Sequence, residues 1–154
     1  FITGDYREFL TEQGVNLQPG EIVNLQGEVL GRHRGLSHYT IGQRKGLGIS
    51  AGKPVFVIGI DQAANRLIVD DECHLFRKEL ISMDNNWIAI EDLEHPLMVE
   101  AKIRSAARPA QAVIEKIDNN QIRVSFQEPQ RAITPGQSVV FYQGDLVIGG
   151  GRII

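Results

Sequence analysis

The sequence predicts a mainly β protein, and three observations lead to that prediction. Short apolar segments with alternating polarity recur between residues 79 and 150. Polar turn clusters such as Asp118-Asn119-Asn120 and Gln143-Gly144-Asp145 separate these segments. Helical spacing of apolar residues is seen at residues 5–13, where Gly14 provides a stop signal, so one short helix is expected.

The first half of the chain predicts a small β-domain over residues 1–77. Pro19-Gly20 opens the first strand after the helix, and Gln26-Gly27 turns that strand into the second. A glycine-rich segment then leads to another hairpin, with one helical turn expected around residues 38–41. The four predicted strands cover residues 21–25, 28–32, 55–60 and 66–70.

The second half predicts a β-barrel over residues 78–154. Six short strands with alternating patterning favour a closed antiparallel barrel, because closure removes exposed strand edges. Gly149-Gly150-Gly151 is expected to permit tight closure and not to cradle a phosphate, since no helix start follows it. The six predicted strands cover residues 79–90, 98–103, 110–117, 121–126, 138–142 and 146–150.

Composition excludes several classes of protein. With 154 residues, 42% hydrophobic and 23% charged, the chain has the composition of a globular protein. No apolar run approaches the roughly 20 residues that a membrane span needs, so no membrane association is expected. Cys73 is the single cysteine, which excludes an internal disulfide and leaves no Cys/His cluster for a metal. We expect Cys73 to be a small packing residue and the protein to be cytoplasmic.

The charges are segregated along the chain, although the net charge is −3. Residues 31–53 and 102–108 contain basic side chains and no acid, whereas acids concentrate at residues 70–72 and 91–94. This segregation permits a basic patch for phosphate on one face of the protein. The alternative is that each cluster is a solvated loop.

Two motifs carry more information than composition. Residues 39–49 read Tyr-Thr-Ile-Gly-Gln-Arg-Lys-Gly-Leu-Gly-Ile and place the cations Arg44 and Lys45 between glycines, after Gln43. About ninety residues later, residues 134–142 read Thr-Pro-Gly-Gln-Ser-Val-Val-Phe-Tyr, followed by three glycines from residue 149. Exposed cations beside glycines are suited to phosphate, but the same pattern also occurs in glycine-rich surface turns.

In both motifs, and in their order, the chain resembles the tRNA-specific 2-thiouridylase (tRNA-uridine 2-sulfurtransferase) family. The resemblance implies a small central β-domain followed by a six-stranded barrel like domain 2 of translation elongation factors. The family's N-terminal ATP-pyrophosphatase domain carries a Ser-Gly-Gly-x-Asp-Ser loop, which this sequence lacks. The chain starts at Phe1, as expected of a C-terminal portion that begins directly after the family's second catalytic cysteine.

The resemblance also implies an activity for the parent protein. Family enzymes replace the C2 oxygen of uridine 34 in tRNA anticodons with sulfur, using ATP and a persulfide, and they act with a sulfur-relay donor protein. The resemblance places no catalytic, cofactor-binding or metal-binding residue in this chain. We expect the chain alone to be monomeric, not catalytic, and to contribute binding of tRNA.

The resemblance assigns tRNA contacts to Arg104, Ser105 and Gln137. Arg104 suits a phosphate or a base, whereas Ser105 stands where some members carry an aromatic residue, so stacking is expected to be lost. Gln43, Arg44 and Lys45 are expected either to contact the tRNA backbone or to support the catalytic cysteine's loop. For each of these residues the alternative is a structural or solvent-facing role.

Two other kinds of function stay open from the residues alone. The chain could be a free-standing, translation-factor-like β-barrel module that binds RNA or protein, without an enzymatic parent. A barrel that binds a small molecule would require an enclosed apolar pocket.

Overall fold

A computed structural model describes residues 18–118 and 120–154 of the chain. The chain divides into two compact units, Phe1–Leu75 and Phe76–Ile154. The helix predicted over residues 5–13 lies outside the described residues. Within the described ranges, no helix is long and apolar enough to cross a membrane.

The first unit contains a four-stranded sheet with the order β2-β1-β4-β3. Both predicted hairpins are confirmed, as β1–β2 and β3–β4, and β1 pairs with β4 in parallel. Alternation decides which side chains enter the core, and Ile22, Val57, Leu67 and Val69 are fully buried. The strands are β1 Gly20–Val23, β2 Val29–His33, β3 Phe56–Asp61 and β4 Arg66–Asp70.

The helical turn in the loop after β2 occurs earlier than predicted. It is a 3₁₀ helix over Leu36–His38, not a turn at residues 38–41. His33, which is 1% exposed, determines this position. Its Nδ1 accepts a hydrogen bond from the Gly35 N–H at 3.1 Å, and its Nε2 lies 3.1 Å from the Asn65 carbonyl oxygen. The imidazole therefore fixes the chain just before the helix.

The predicted closed six-stranded antiparallel barrel of the second unit is confirmed. Its strand order is β10-β5-β8-β7-β6-β9, and β9–β10 pairing closes it. The interior is filled by side chains that include the buried Val99, Ile114, Val124 and Phe141. The strands are β5 Phe76–Trp87, β6 Leu97–Lys102, β7 Ala110–Lys116, β8 Ile122–Arg131, β9 Ser138–Gln143 and β10 Leu146–Ile153.

Three barrel strands differ in extent from the sequence prediction by three residues or more, and one of them is β10, which continues to Ile153 instead of ending at residue 150. β8 was predicted to end at residue 126 but continues to Arg131, because its polar final residues pair with Phe76 and Arg77 of β5. Pro129 is tolerated there because the β5–β8 register shifts in this part of the ladder, and proline lacks the N–H that a regular ladder requires. β5 itself begins and ends three residues earlier than predicted.

The predicted role of the triple glycine in barrel closure is confirmed. Gly149 and Gly150 lie in β10, which pairs with β5 on one side and β9 on the other. A Cβ atom on Gly150 would lie 2.5 Å from the Val139 carbonyl oxygen, and one on Gly149 would lie 2.5 Å from the Asn86 carbonyl oxygen. Backbone atoms of the neighbouring strands occupy the space that a side chain would need.

Candidate nucleic-acid interface

Arg104 lies in the turn that follows β6, and three hydrogen bonds hold its guanidinium. Nη2 donates to the Ala132 carbonyl oxygen at 2.7 Å and to Thr134 Oγ1 at 3.0 Å. Nε donates to Gln137 Oε1 at 3.2 Å. Because these acceptors fix the planar group, Arg104 is oriented before any ligand arrives.

The loop between β8 and β9 provides these acceptors. Ala132 is buried and adopts a positive φ of 55°, and Thr134 Oγ1 donates to its carbonyl oxygen at 2.9 Å. Gly136 needs the conformational freedom of glycine at its φ of 85°, and its N–H donates to the Ile153 carbonyl oxygen at 2.8 Å. The Ile153 N–H donates to the Gln137 carbonyl oxygen at 2.8 Å, so β10 anchors the loop.

Arg104 and Gln137, which were predicted separately, therefore contact each other. A guanidinium only donates, so the oxygen of the Gln137 amide faces it and the amide nitrogen points elsewhere. Among the described residues, none accepts a hydrogen bond from Arg104 Nη1 or Gln137 Nε2. The pair thus presents N–H donors, which suit phosphate and sugar oxygens.

An open groove of about 740 Å³ lies beside this pair. Ser105, which is exposed, lines the groove together with Arg104 and Gln137. Lys102 of β6 also lines it and forms no ion pair with a described residue. None of the lining residues is acidic, so the groove attracts anions although the chain's net charge is −3.

Lys102 and Tyr142 also line this groove but were not predicted as site residues. Lys102 was noted only as part of a basic stretch, and Tyr142 only as part of the second motif. Alternation along β9 buries Val139 and Phe141, which leaves Val140 and Tyr142 on the outer face. The β6–β9 register, in which Lys102 faces Val140, then brings both residues to the groove.

The predicted site in the first unit is the loop of residues 39–49. Its backbone is hydrogen-bonded to β3, because the Gly42 N–H donates to the Val57 carbonyl oxygen at 2.8 Å and the Val57 N–H donates to the Gln43 carbonyl oxygen at 2.9 Å. Tyr39, Ile41 and Leu47 are buried beneath it.

Gln43 shapes this loop with both ends of its side chain. Its Oε1 accepts from the Thr40 N–H at 3.1 Å, and its Nε2 donates to the Lys45 carbonyl oxygen at 3.0 Å. Arg44 and Lys45 are exposed, and neither forms an ion pair with a described residue. Gln43 thus positions two cations that are available to an anion.

One cation of the first basic stretch is neutralised by a carboxylate distant in sequence. Lys53 Nζ lies 2.7 Å from Asp71 Oδ2, and this hydrogen bond raises the pKa of the exposed Lys53. Lys53 lines a small pocket of about 210 Å³ with Arg44, Gly46 and Gly48. The stretch is acid-free in sequence, but the surface around Lys53 is not acid-free.

Cys73 corrects a prediction. It lies on a second 3₁₀ helix, Glu72–Leu75, and is exposed instead of packed. Leu75 is the buried residue of that helix, so the packing position falls two residues later. No group of three or more His, Cys, Asp or Glu side chains among the described residues could hold a metal ion.

Known families match both units of the chain. Residues 77–153 match the aminomethyltransferase beta-barrel domain, and residues 7–71 match the tRNA methyl transferase PRC-barrel domain. The first match covers the closed barrel and its groove, so the class is a protein with an aminomethyltransferase-type beta-barrel domain.

Curated relatives identify the family more narrowly. A tRNA-specific 2-thiouridylase MnmA of Acetivibrio thermocellus is 51% identical over 150 residues, which are 97% of this chain and 42% of the relative. The protein of the same name from Clostridium perfringens is 49% identical over 150 residues, with the same coverage of 97% and 42%. The MnmA 1 protein of Thermoanaerobacter pseudethanolicus is 50% identical over 155 residues, 99% of this chain and 43% of the relative.

The chain belongs to the tRNA-specific 2-thiouridylase family. It spans less than half the length of the curated relatives that it matches.

Proposed function

We propose that this chain is the tRNA-binding C-terminal part of an enzyme that thiolates C2 of uridine 34 in tRNA anticodons. In this proposal the parent enzyme is a cytoplasmic transferase, ATP activates the C2 oxygen for departure, and a persulfide supplied by a sulfur-relay protein provides the sulfur. The residues of this chain hold neither ATP nor the sulfur. Their part is to bind and orient the RNA, and the chain alone is monomeric and not catalytic.

The observation that carries the tRNA-binding role is the oriented donor pair Arg104–Gln137 beside a groove without acidic lining. Most hydrogen bonds from proteins to nucleic acids go to phosphate and sugar oxygens, and such oxygens need donors. The pair offers Arg104 Nη1 and Gln137 Nε2, while Lys102 adds a positive charge. Ser105 adds a hydroxyl, which can donate to phosphate but cannot stack on a base.

The cations of the loop at residues 39–49 are a second RNA contact in this proposal. The Gln43 side chain is hydrogen-bonded to the Thr40 N–H before the two cations and to the Lys45 carbonyl oxygen after them, and this arrangement leaves Arg44 and Lys45 exposed. Gln43 acts here by positioning, since its amide is already engaged within the loop. The other role expected for these residues, support of the catalytic cysteine's loop, uses the same geometry.

Membership in the 2-thiouridylase family favours this function over a free-standing β-barrel module. The sequence upstream of Phe1 distinguishes the two functions. A Ser-Gly-Gly-x-Asp-Ser loop in the parent protein and a cysteine directly before Phe1 are expected for the enzyme. A short open reading frame without them would favour the free-standing β-barrel module.

Titration of the chain with tRNA in a gel-shift assay at two salt concentrations tests the binding role. Weak binding that falls steeply with salt is expected, because each neutralised phosphate releases condensed counterions. Absence of binding at low salt, or binding that salt does not change, would contradict the proposal.

A further inference from the structure

The groove beside Arg104 has an apolar wall that phosphate binding does not explain. Val140 and Tyr142 lie on the outer face of β9 and line the groove, whereas Val139 and Phe141, which alternate with them along the strand, are fully buried in the core. Tyr142 is half-buried, and among the described residues none forms a hydrogen bond with its hydroxyl. An aromatic side chain thus forms part of an open, positively charged groove.

The apolar wall and the donors line the same groove, so one ligand can contact both. Lys102 of β6 faces Val140 of β9, and Glu100 faces Tyr142. Tyr142 therefore lies two residues along β9 from Val140, the residue opposite Lys102. Glu100 does not line the groove and accepts a hydrogen bond from Gln111 Nε2 at 3.3 Å. The groove is also large enough for a small organic group, at about 740 Å³.

The presence of an aromatic wall beside cations and N–H donors distinguishes between two forms of RNA as the ligand. In a duplex the base faces are stacked on each other, so a protein that grips only its backbone needs cations and donors. An unpaired nucleotide offers the flat face of its base as well, and aromatic side chains are the usual surface on which it stacks. The aliphatic and aromatic wall beside Lys102 and Arg104 matches the second ligand.

We propose that the groove binds one unpaired nucleotide of the RNA, with its base stacked on Tyr142 and its phosphate held by Lys102 and Arg104. This inference rests on the proposed function and specifies the form of RNA that the site takes. Ser105, in the turn after β6, provides no aromatic ring. In this proposal Tyr142 of the neighbouring strand β9 provides the ring instead. Tyr142 is then a specificity residue for single-stranded over double-stranded segments.

The test compares three variants of the full chain on two RNA probes. Tyr142→Leu removes the ring but keeps apolar volume, and Tyr142→Phe keeps the ring. Phe76→Leu removes an exposed aromatic ring of the same unit that does not line the groove, and it is the matched control. The probes are a fluorescently labelled single-stranded oligouridine and a labelled RNA duplex of equal strand length, titrated by anisotropy at low salt. A thermal melt of each variant confirms that the barrel is folded.

We expect Tyr142→Leu to weaken binding of the single strand about tenfold, the size of one lost base–aromatic stack, and to leave duplex binding unchanged. Tyr142→Phe and Phe76→Leu should bind both probes as the wild type does. Equal affinity of Tyr142→Leu and wild type for the single strand would overturn the inference while leaving tRNA binding intact. If the wild type binds neither probe, the proposed function fails, and the inference fails with it.

Discussion

The three hydrogen bonds of Arg104 predict a measurable cost when its guanidinium is replaced by an ammonium. Arg104→Lys keeps the positive charge but loses the planar fork that reaches Ala132, Thr134 and Gln137 together. A lysine in that place can retain one of the three bonds.

The loss is therefore two hydrogen bonds in a half-buried setting, at about 1 kcal/mol each. The free energy of unfolding should fall by about 2 kcal/mol. For a unit of this size the melting temperature should then fall by about 10 °C.

Trp87 makes this effect straightforward to measure. It is the single tryptophan of the chain, belongs to the barrel, and stacks on Phe141 with ring centroids 6.1 Å apart. Its fluorescence during urea unfolding should therefore follow the second unit and not the first.

Lys102→Gln is the matched control, since Lys102 lines the same groove and forms no ion pair with a described residue. Its unfolding free energy should stay within about 0.5 kcal/mol of the wild type. If Arg104→Lys unfolds at the wild-type urea concentration, the hydrogen-bonded loop does not hold Arg104, and the argument for a pre-oriented donor fails.

Two other predictions concern the barrel itself. Gly150→Ala should destabilise it by about 1–3 kcal/mol, because the new Cβ would meet the Val139 carbonyl oxygen at 2.5 Å. Ser138→Ala, at the exposed first residue of the neighbouring strand β9, is the control. A wild-type urea midpoint for Gly150→Ala would show that closure tolerates a side chain. The pKa of Asp92 is lowered, mainly by the hydrogen bond from Lys116 and secondly by the hydrogen bond from the Leu93 N–H. The ionised Asp92 therefore stabilises the folded protein above the unfolded pKa of about 3.9, and this contribution is lost as pH falls through the lower folded pKa. Asp92→Asn should accordingly flatten the dependence of melting temperature on pH below about pH 4, and an unchanged acid profile would contradict that assignment.

Much of the fold could be predicted because short stretches of sequence determine where each strand and turn lies. Alternating apolar residues and turn clusters located every strand of the described part of the chain, and edge closure then required a barrel. The extension of β8 beyond residue 126 was not predicted, because its last residues are polar and include Pro129. Their pairing with Phe76 and Arg77 depends on the register of a strand that lies about fifty residues earlier.

The site was less predictable, because its geometry joins residues far apart in sequence. Arg104 and Gln137 are 33 residues apart, and only the strand order places one against the other. The same applies to Lys53, whose partner Asp71 comes from an acidic cluster that the sequence had set apart from the basic stretch. Tyr142 could have been assigned to the outer face by alternation, but its place beside Lys102 required the β6–β9 register.

The central claim is that RNA is held through the positively charged groove beside Arg104. The most direct measurement is the slope of log affinity against log salt concentration for tRNA, compared among the wild type, Lys102→Gln and Lys78→Gln. Lys78 is an exposed lysine of β5 that does not line the groove. Lys102→Gln should lower the slope by about one, the loss of one phosphate contact, while Lys78→Gln leaves it unchanged. Equal slopes for wild type and Lys102→Gln would contradict the claim.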